Sequence, residues 1–184
     1  MTAQDIIDKY YLAETNLRDI YMTHCGAVTA LALTIAAQHR LKLSTDEIYN
    51  AAMLHDIGIF LTDALSIGCT GKEPYIRHGI LGAKLLRDNG FDEKYARVAE
   101  RHTGSGLTAK EIEQQNLPLP HENFFPITQL ERLVCYADKF FSKSGKGGIK
   151  PLREVREQLA RFGEEPLRRF DSLHKEFAVL VTCQ

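Results

Sequence analysis

The sequence predicts an all-α fold, a single-domain helical bundle, and three observations predict it. Apolar residues recur with helical spacing over nearly every segment. Helix-start and helix-stop residues recur between those segments. No run alternates apolar and polar side chains as a half-buried strand would, and no Asn-Gly turn joins two β-rich runs.

Taken in order, Asp5 to Ile20 reads as one helical stripe, with Ile6, Ile7, Tyr10, Tyr11 and Leu17 on it. From His24 to Gln38 the chain is rich in Ala and Leu, and a central helix, apolar on most sides, is expected there. Ser44 with Glu47, Thr108 with Glu111 and Thr128 with Glu131 fit the capping box, in which the first side chain and the fourth satisfy each other's free N–H groups. Pro74, Pro151 and Pro166 stand where a first helical turn tolerates a missing N–H. Gly58, Asn89-Gly90 and Gly163 read as stops. Three stretches lack helical pattern: Thr62 to Glu73, Asn116 to Pro126, and the Lys- and Gly-rich Ser142 to Ile149. Loops of this length in a helical domain often carry function. The 151–184 tail places Leu152, Val155, Leu159, Phe162, Leu167, Phe170, Leu173 and Phe177 as two short amphipathic helices. They are expected to cover a core spanning about residues 20–142, helices over 151–180 packing on it, or through an exposed stripe to form a homodimer.

The chain has 184 residues, 44% hydrophobic and 26% charged, enough for one well-buried core. A net charge of −1 excludes the cationic surplus of a general nucleic-acid binder. Cys25, Cys69, Cys135 and Cys183 form no CxxC pair, so buried reduced thiols are expected rather than a disulfide framework or zinc knuckle. The N-terminus carries acids where a signal peptide needs a cation, and no apolar stretch approaches the length of a membrane span. A cytoplasmic location without membrane contact is expected.

Chemistry concentrates in the histidines, of which there are seven. His55-Asp56 ends a helical stretch, Ile48 to Asp56. Adjacent residues on a regular helix point about 100° apart, but at a helix end both can converge on one ion, and Gly58 lets the chain turn away. His24 opens the apolar helix upstream. Asp138 borders the apolar face made by Leu133, Val134, Ala137 and Phe140, where an acid is costly unless paired, hydrogen-bonded or coordinated. Two imidazoles and two carboxylates make a mixed N/O set suited to Fe, Mn, Co, Ni or Zn, with Mg also possible. His39 and His174 read as surface residues, and His121 as a loop residue more than a ligand.

The order His24 … His55-Asp56 … Asp138 resembles the HD-domain superfamily, and His55-Asp56-Ile57-Gly58 matches its HDIG variant. The resemblance spans Thr23 to Ser142 and implies a helical bundle of the HD type with a buried metal site and hydrolysis of phosphate esters. It also brings in His78, in His78-Gly79-Ile80-Leu81-Gly82-Ala83, and His102, followed by Thr103-Gly104. In dinuclear members a histidine from each of these regions completes a second metal site with the HD aspartate bridging. The implied ligands are therefore His24, His55, Asp56, His78, His102 and Asp138, for one or two divalent ions; the alternative for His78 and His102 is to bind phosphate or orient water. Asp56, His78 and His102 are the implied catalytic residues.

Substrate phosphates need cations, and Lys72, Arg77, Arg101, Lys139 and Lys143, with Lys146, lie beside these motifs or on the loops. The implied reaction is attack of metal-activated hydroxide on the phosphate ester or anhydride of a small phosphorylated substrate, a nucleotide or dinucleotide polyphosphate, with no specific nucleic-acid partner. No GYP element is present after a later histidine, which disfavours the cyclic-dinucleotide branch. Two alternatives stand beside this one: a di-iron oxygenase of the HD-like type, and a metal- or nucleotide-binding module without turnover.

Overall fold

A computed structural model of the chain describes residues 1–143 and 148–178. Lys146, Cys183, the centre of the Ser142–Ile149 stretch and the last two residues of the expected 151–180 helices lie outside the described residues.

The first helix, α1 (Ala3–Tyr10), starts at a capping box formed by Thr2 and Asp5 and buries Ala3, Ile6 and Ile7. The stripe expected over Asp5–Ile20 is interrupted after it. Tyr11 leaves the helix, and Glu14 adopts a left-handed backbone (φ 60°). Tyr11 is thereby buried against Tyr21, ring centroids 4.1 Å apart, and its hydroxyl donates to the Ile57 carbonyl at 3.0 Å. A phenol that needs one buried acceptor outweighs continuation of a short helix.

Helix α2 (Asn16–Gln38) then starts at Thr15, whose side chain accepts from the Arg18 N–H. His24 therefore sits in the third turn of α2 rather than opening it. With 23 residues, α2 is long and apolar enough to cross a membrane by length and composition, which corrects the expectation that no stretch approaches that length. In this fold it is the central core helix, packed against the third and seventh helices.

Helix α3 (Thr45–Leu54) carries the Ser44–Glu47 capping box and ends at His55. Three short strands come next, where only helices and loops were expected. Strand β1 (Thr62–Ala64) lies between β2 (Cys69–Thr70), antiparallel with Asp63 opposite Thr70, and β3 (Glu73–Pro74), parallel with Thr62 opposite Glu73. Strands of two or three residues are too short to show alternation, so no pattern announces them.

Helices α4 (His78–Asp88) and α5 (Glu93–Arg101) form a close hairpin. Helix α4 ends in a Schellman turn: Gly90 (φ 73°) donates to Arg87 O and Phe91 to Leu86 O. Helices α6 (Ala109–Gln114) and α7 (Gln129–Asp138) come after them. The capping box is complete at Thr108–Glu111 but only half-made at Thr128. There the Glu131 carboxylate accepts from the Ile127 N–H at 2.8 Å and pairs with Arg101 at 3.0 Å.

Helices α8 (Leu152–Ala160) and α9 (Glu164–Phe177) are the last among the described residues. Val155, Leu159, Phe170, Leu173 and Phe177 are buried against α2 and α7. Each such side chain contributes about 1.5–3 kcal/mol by leaving water. Phe162, expected in the same stripe, is exposed in the α8–α9 turn.

Among the described residues, most of the buried apolar side chains fall into two clusters. Val28, Ala32, Ile35, Leu133, Val134 and Phe170 belong to one; Ile6, Tyr11, Tyr21, Cys25, Leu54, Ile57 and Leu86 belong to the other. Helix α2 runs through both, and His24 lies where they meet. The described cysteines, Cys25, Cys69 and Cys135, are buried free thiols, and burial pushes all three thiol pKa values up.

Candidate metal centre

Six side chains from five elements converge at the boundary between the two clusters. His24 comes from the third turn of α2, His55 from the C-cap of α3, and Asp56 from the turn after it. His78 is the first residue of α4, His102 the C-cap of α5, and Asp138 the last residue of α7. All six are buried.

The Asp56 carboxylate divides them. Its Oδ2 lies 3.2 Å from Nε2 of both His24 and His55. The Asp138 Oδ1 faces the same two nitrogens at 3.0 and 3.4 Å. The other Asp56 oxygen, Oδ1, lies 3.5 Å from His78 Nε2 and 3.3 Å from His102 Nε2. Two groups of ligating atoms result, His24–His55–Asp56–Asp138 and Asp56–His78–His102, with Asp56 common to both.

Three of the imidazoles are oriented by one local device. Nδ1 of His55, His78 and His102 donates to the carbonyl three residues earlier, on Ala52, Tyr75 and Ala99, at 2.6, 2.7 and 2.8 Å. A carbonyl can only accept, so Nδ1 carries a hydrogen and each Nε2 is directed inward. As a result, His78 Nε2 and His102 Nε2 face each other at 3.0 Å, and His24 Nε2 faces His55 Nε2 at 3.3 Å. Asp56 Oδ1 and His24 Nδ1 are buried without a hydrogen bond, and the one ammonium close to Asp56 Oδ2 among the described residues is that of Lys143.

Imidazole nitrogens and buried carboxylate oxygens gathered this closely are costly without positive charge among them. The donor set therefore fits a divalent cation in either group, and the N/O mixture suits a first-row transition ion. Electrostatics agree. Burial opposes the charge on Asp56 and Asp138, yet nearby lysines and histidines hold both carboxyls well below the usual range. Burial also opposes a proton on His55, but Asp56 and Asp138 raise its pKa well above the ordinary value. His78 is pushed down to about 3 by burial and then by His102, so it stays a neutral donor.

Two of the five expected substrate cations lie at this centre. Lys139 Nζ is 2.7 Å from Asp138 Oδ2 and donates to the His102 carbonyl at 3.1 Å. Lys143 Nζ is 2.6 Å from Asp56 Oδ2. Arg77 and Arg101 are committed elsewhere, to Glu73 at 2.8 Å and to Glu131 at 3.0 Å. Lys72 is exposed in the β2–β3 turn and lines neither cleft beside the centre.

Those two clefts share the Phe141–Ser142–Lys143 strip as a wall. One, of about 260 Å³, reaches His24, with Ile20, Ala27, Ile149 and Asp19 among the other lining residues. The other, of about 510 Å³, is lined by Ser66, Asp63, Lys150 and Tyr75. Tyr75 stacks on the His78 ring, centroids 4.7 Å apart, and burial pushes its phenol up to about 12. Tyr75 and Tyr11, which braces the His55-Asp56 turn, were not among the expected site residues. Their available signal was an aromatic one helical turn before a ligand histidine and one in the break after α1. The orienting carbonyls have no side-chain signature at all.

The remaining histidines stand apart from both ligand groups. His121 is exposed. His39 and His174, expected on the surface, are half-buried instead. His39 Nε2 lies 2.9 Å from the Ala178 carbonyl, and His174 Nδ1 lies 2.8 Å from the Tyr136 hydroxyl. Both help seat α9.

Among known proteins, an uncharacterised protein of Methanocaldococcus jannaschii is 37% identical over 118 residues, 62% of this chain and 62% of that protein. A tRNA (cytidine(56)-2′-O)-methyltransferase of Thermoplasma volcanium is 28% identical over 178 residues, 96% of this chain and 46% of that protein. One of the same name from Picrophilus torridus is 29% identical over 171 residues, 91% of this chain and 44% of that protein. The chain thus spans between 44% and 62% of the length of these relatives. No solved structure matches it. Residues 21–142 match the family model of the HD domain, and every one of the six converging side chains falls inside that stretch. The chain belongs to the HD domain family.

Proposed function

We propose that this protein is a metal-dependent phosphohydrolase acting on the phosphate ester or anhydride of a small substrate, a nucleotide in the leading reading. One observation carries the proposal: a single buried carboxylate, Asp56, turns each of its oxygens to a separate pair of imidazole nitrogens. His24, His55, Asp56 and Asp138 would hold one divalent ion, and Asp56, His78 and His102 a second. When bound, such an ion lowers the pKa of water and neutralises charge on phosphoryl oxygens.

The rest is the work of the chain's own residues. Lys139 and Lys143 bring ammonium groups to the edge of the centre, where substrate phosphate would enter from the clefts. The carbonyl anchors on His55, His78 and His102 hold the rings in place, so little reorganisation is needed when substrate arrives. Tyr75, stacked on His78, shields that ring from water.

The methyltransferase relatives do not redirect this reading. The stretch they share with this chain takes up 46% and 44% of their own length. Their names make an RNA-derived nucleotide worth including among test substrates. The deciding experiment measures metal content of protein purified without chelator, together with phosphate release from a panel of nucleotides. Bound metal with phosphate release that disappears in Asp56→Ala supports the proposal. Metal without phosphate release overturns the hydrolase in favour of an oxygenase or a binding module.

A further inference from the structure

Lys143 bears on the two cation positions unequally, and the role inferred for it rests on the proposed metal centre. Its Nζ lies 2.6 Å from Asp56 Oδ2, and its side chain is largely buried. Oδ2 is the oxygen that faces His24 and His55; Oδ1, facing His78 and His102, has no lysine on it among the described residues. Lys139 behaves differently. It takes Asp138 Oδ2 and leaves Oδ1, the oxygen directed at His24 and His55, open.

The Asp56–His78–His102 group therefore presents its donor atoms free of the described lysines. In the four-residue group one donor atom is already engaged by an ammonium. A metal ion and an ammonium cannot both lie close to one carboxylate oxygen without strong mutual repulsion in so buried a place. The ammonium has somewhere to go, because Lys143 lines both clefts.

We propose that Lys143 is a built-in competitor for the cation of the four-residue position, weakening that position selectively and leaving the His78–His102 position alone. Loading the four-residue position then moves the ammonium off Asp56 and into the clefts, where substrate phosphate would meet it. Metal binding and phosphate binding become linked through one side chain, and such linkage is reciprocal.

The test uses the full chain, stripped of metal and titrated calorimetrically with manganese(II). A His78→Ala background isolates the four-residue position, and a His24→Ala background isolates the other. Lys143→Met is expected to tighten manganese binding about tenfold or more in the first background and to leave the second unchanged. Lys143→Arg, which keeps the charge, is expected to tighten neither. If Lys143→Met does not fold, Lys143→Gln makes the same neutral comparison. In wild-type protein, manganese should also raise the reactivity of Lys143 towards an acetylating reagent, read by mass spectrometry. No tightening, equal tightening in both backgrounds, or unaltered Lys143 labelling overturns the inference alone. Failure of wild-type protein to take up manganese overturns the metal reading together with it.

Discussion

Asp56 is the one side chain that belongs to both ligand groups, so its removal differs in kind from removal of a histidine. Asp56→Ala is expected to lose both cations, whereas His78→Ala loses one; metal analysis of the purified variants checks this. His24, His55, Asp56 and Asp138 were legible in the sequence, because imidazoles and acids bordering apolar helix faces are costly without a partner. His78 and His102 came in only through the resemblance to the HD superfamily. The cations were less legible. Lys139, Lys143, Arg77 and Arg101 look alike along the chain, each near a motif. Only three dimensions show that Arg101 is spent on Glu131, a carboxylate that is itself almost fully buried. Arg101→Ala should therefore cost on the order of 3 kcal/mol of stability by orphaning that charge, while metal content per folded chain stays unchanged. A urea melt and a metal assay on the same sample separate the two effects.

Elements, not residues, decide how closely the ligands approach. Gly58 shows this: a Cβ there would overlap the backbone of Gly82 and His78 in α4, and Gly79 in turn has no room for one against the Ala99 carbonyl of α5. Both glycines let backbones approach side by side, which brings His78 within reach of Asp56 and His102. Gly58→Ala is expected to cost about 1–3 kcal/mol or more through overpacking and to lower the share of the cation held by His78; thermal melting and metal analysis report the two. In the sequence Gly58 reads as a helix stop, and its tighter duty becomes visible only with α4 in place. Helix starts were legible where a side chain makes them, as at Ser44–Glu47. There the Glu47 carboxyl sits at about 2 instead of 4.5, held by Lys94 and then by the Ser44 N–H. Because the folded pKa is depressed, its contribution is present above about 4.5 and fades as pH falls towards about 2. Glu47→Gln should thus cost under about 1 kcal/mol at neutral pH, as an exposed pair does, and progressively less as pH falls towards about 2. A melting series across that window checks the sign. The three short strands had no such marker, since their pairing depends on chain returning from several residues away.

At the scale of the whole molecule, the centre sits where two apolar clusters meet, and a cation held there would tie α2, α3, α4, α5 and α7 together. Stripping the metal with a chelator is expected to lower the melting temperature; an ion present at a hundred times its Kd contributes about 2.7 kcal/mol. A melting temperature indifferent to chelator would deny the centre any such role. The helix ends at His55, His102 and Asp138 act together in another way. Three helices, α3, α5 and α7, point their carboxyl termini at the same spot, and among the described helices α4 alone brings an amino terminus there. Each carboxyl terminus carries roughly half a negative elementary charge from its aligned peptide dipoles. The backbone itself therefore draws positive charge inward before any side chain is counted, and it repels a bare anion. Inorganic phosphate should find no footing on the stripped protein and gain one when metal is restored, so the order of assembly is written into the direction in which the helices run.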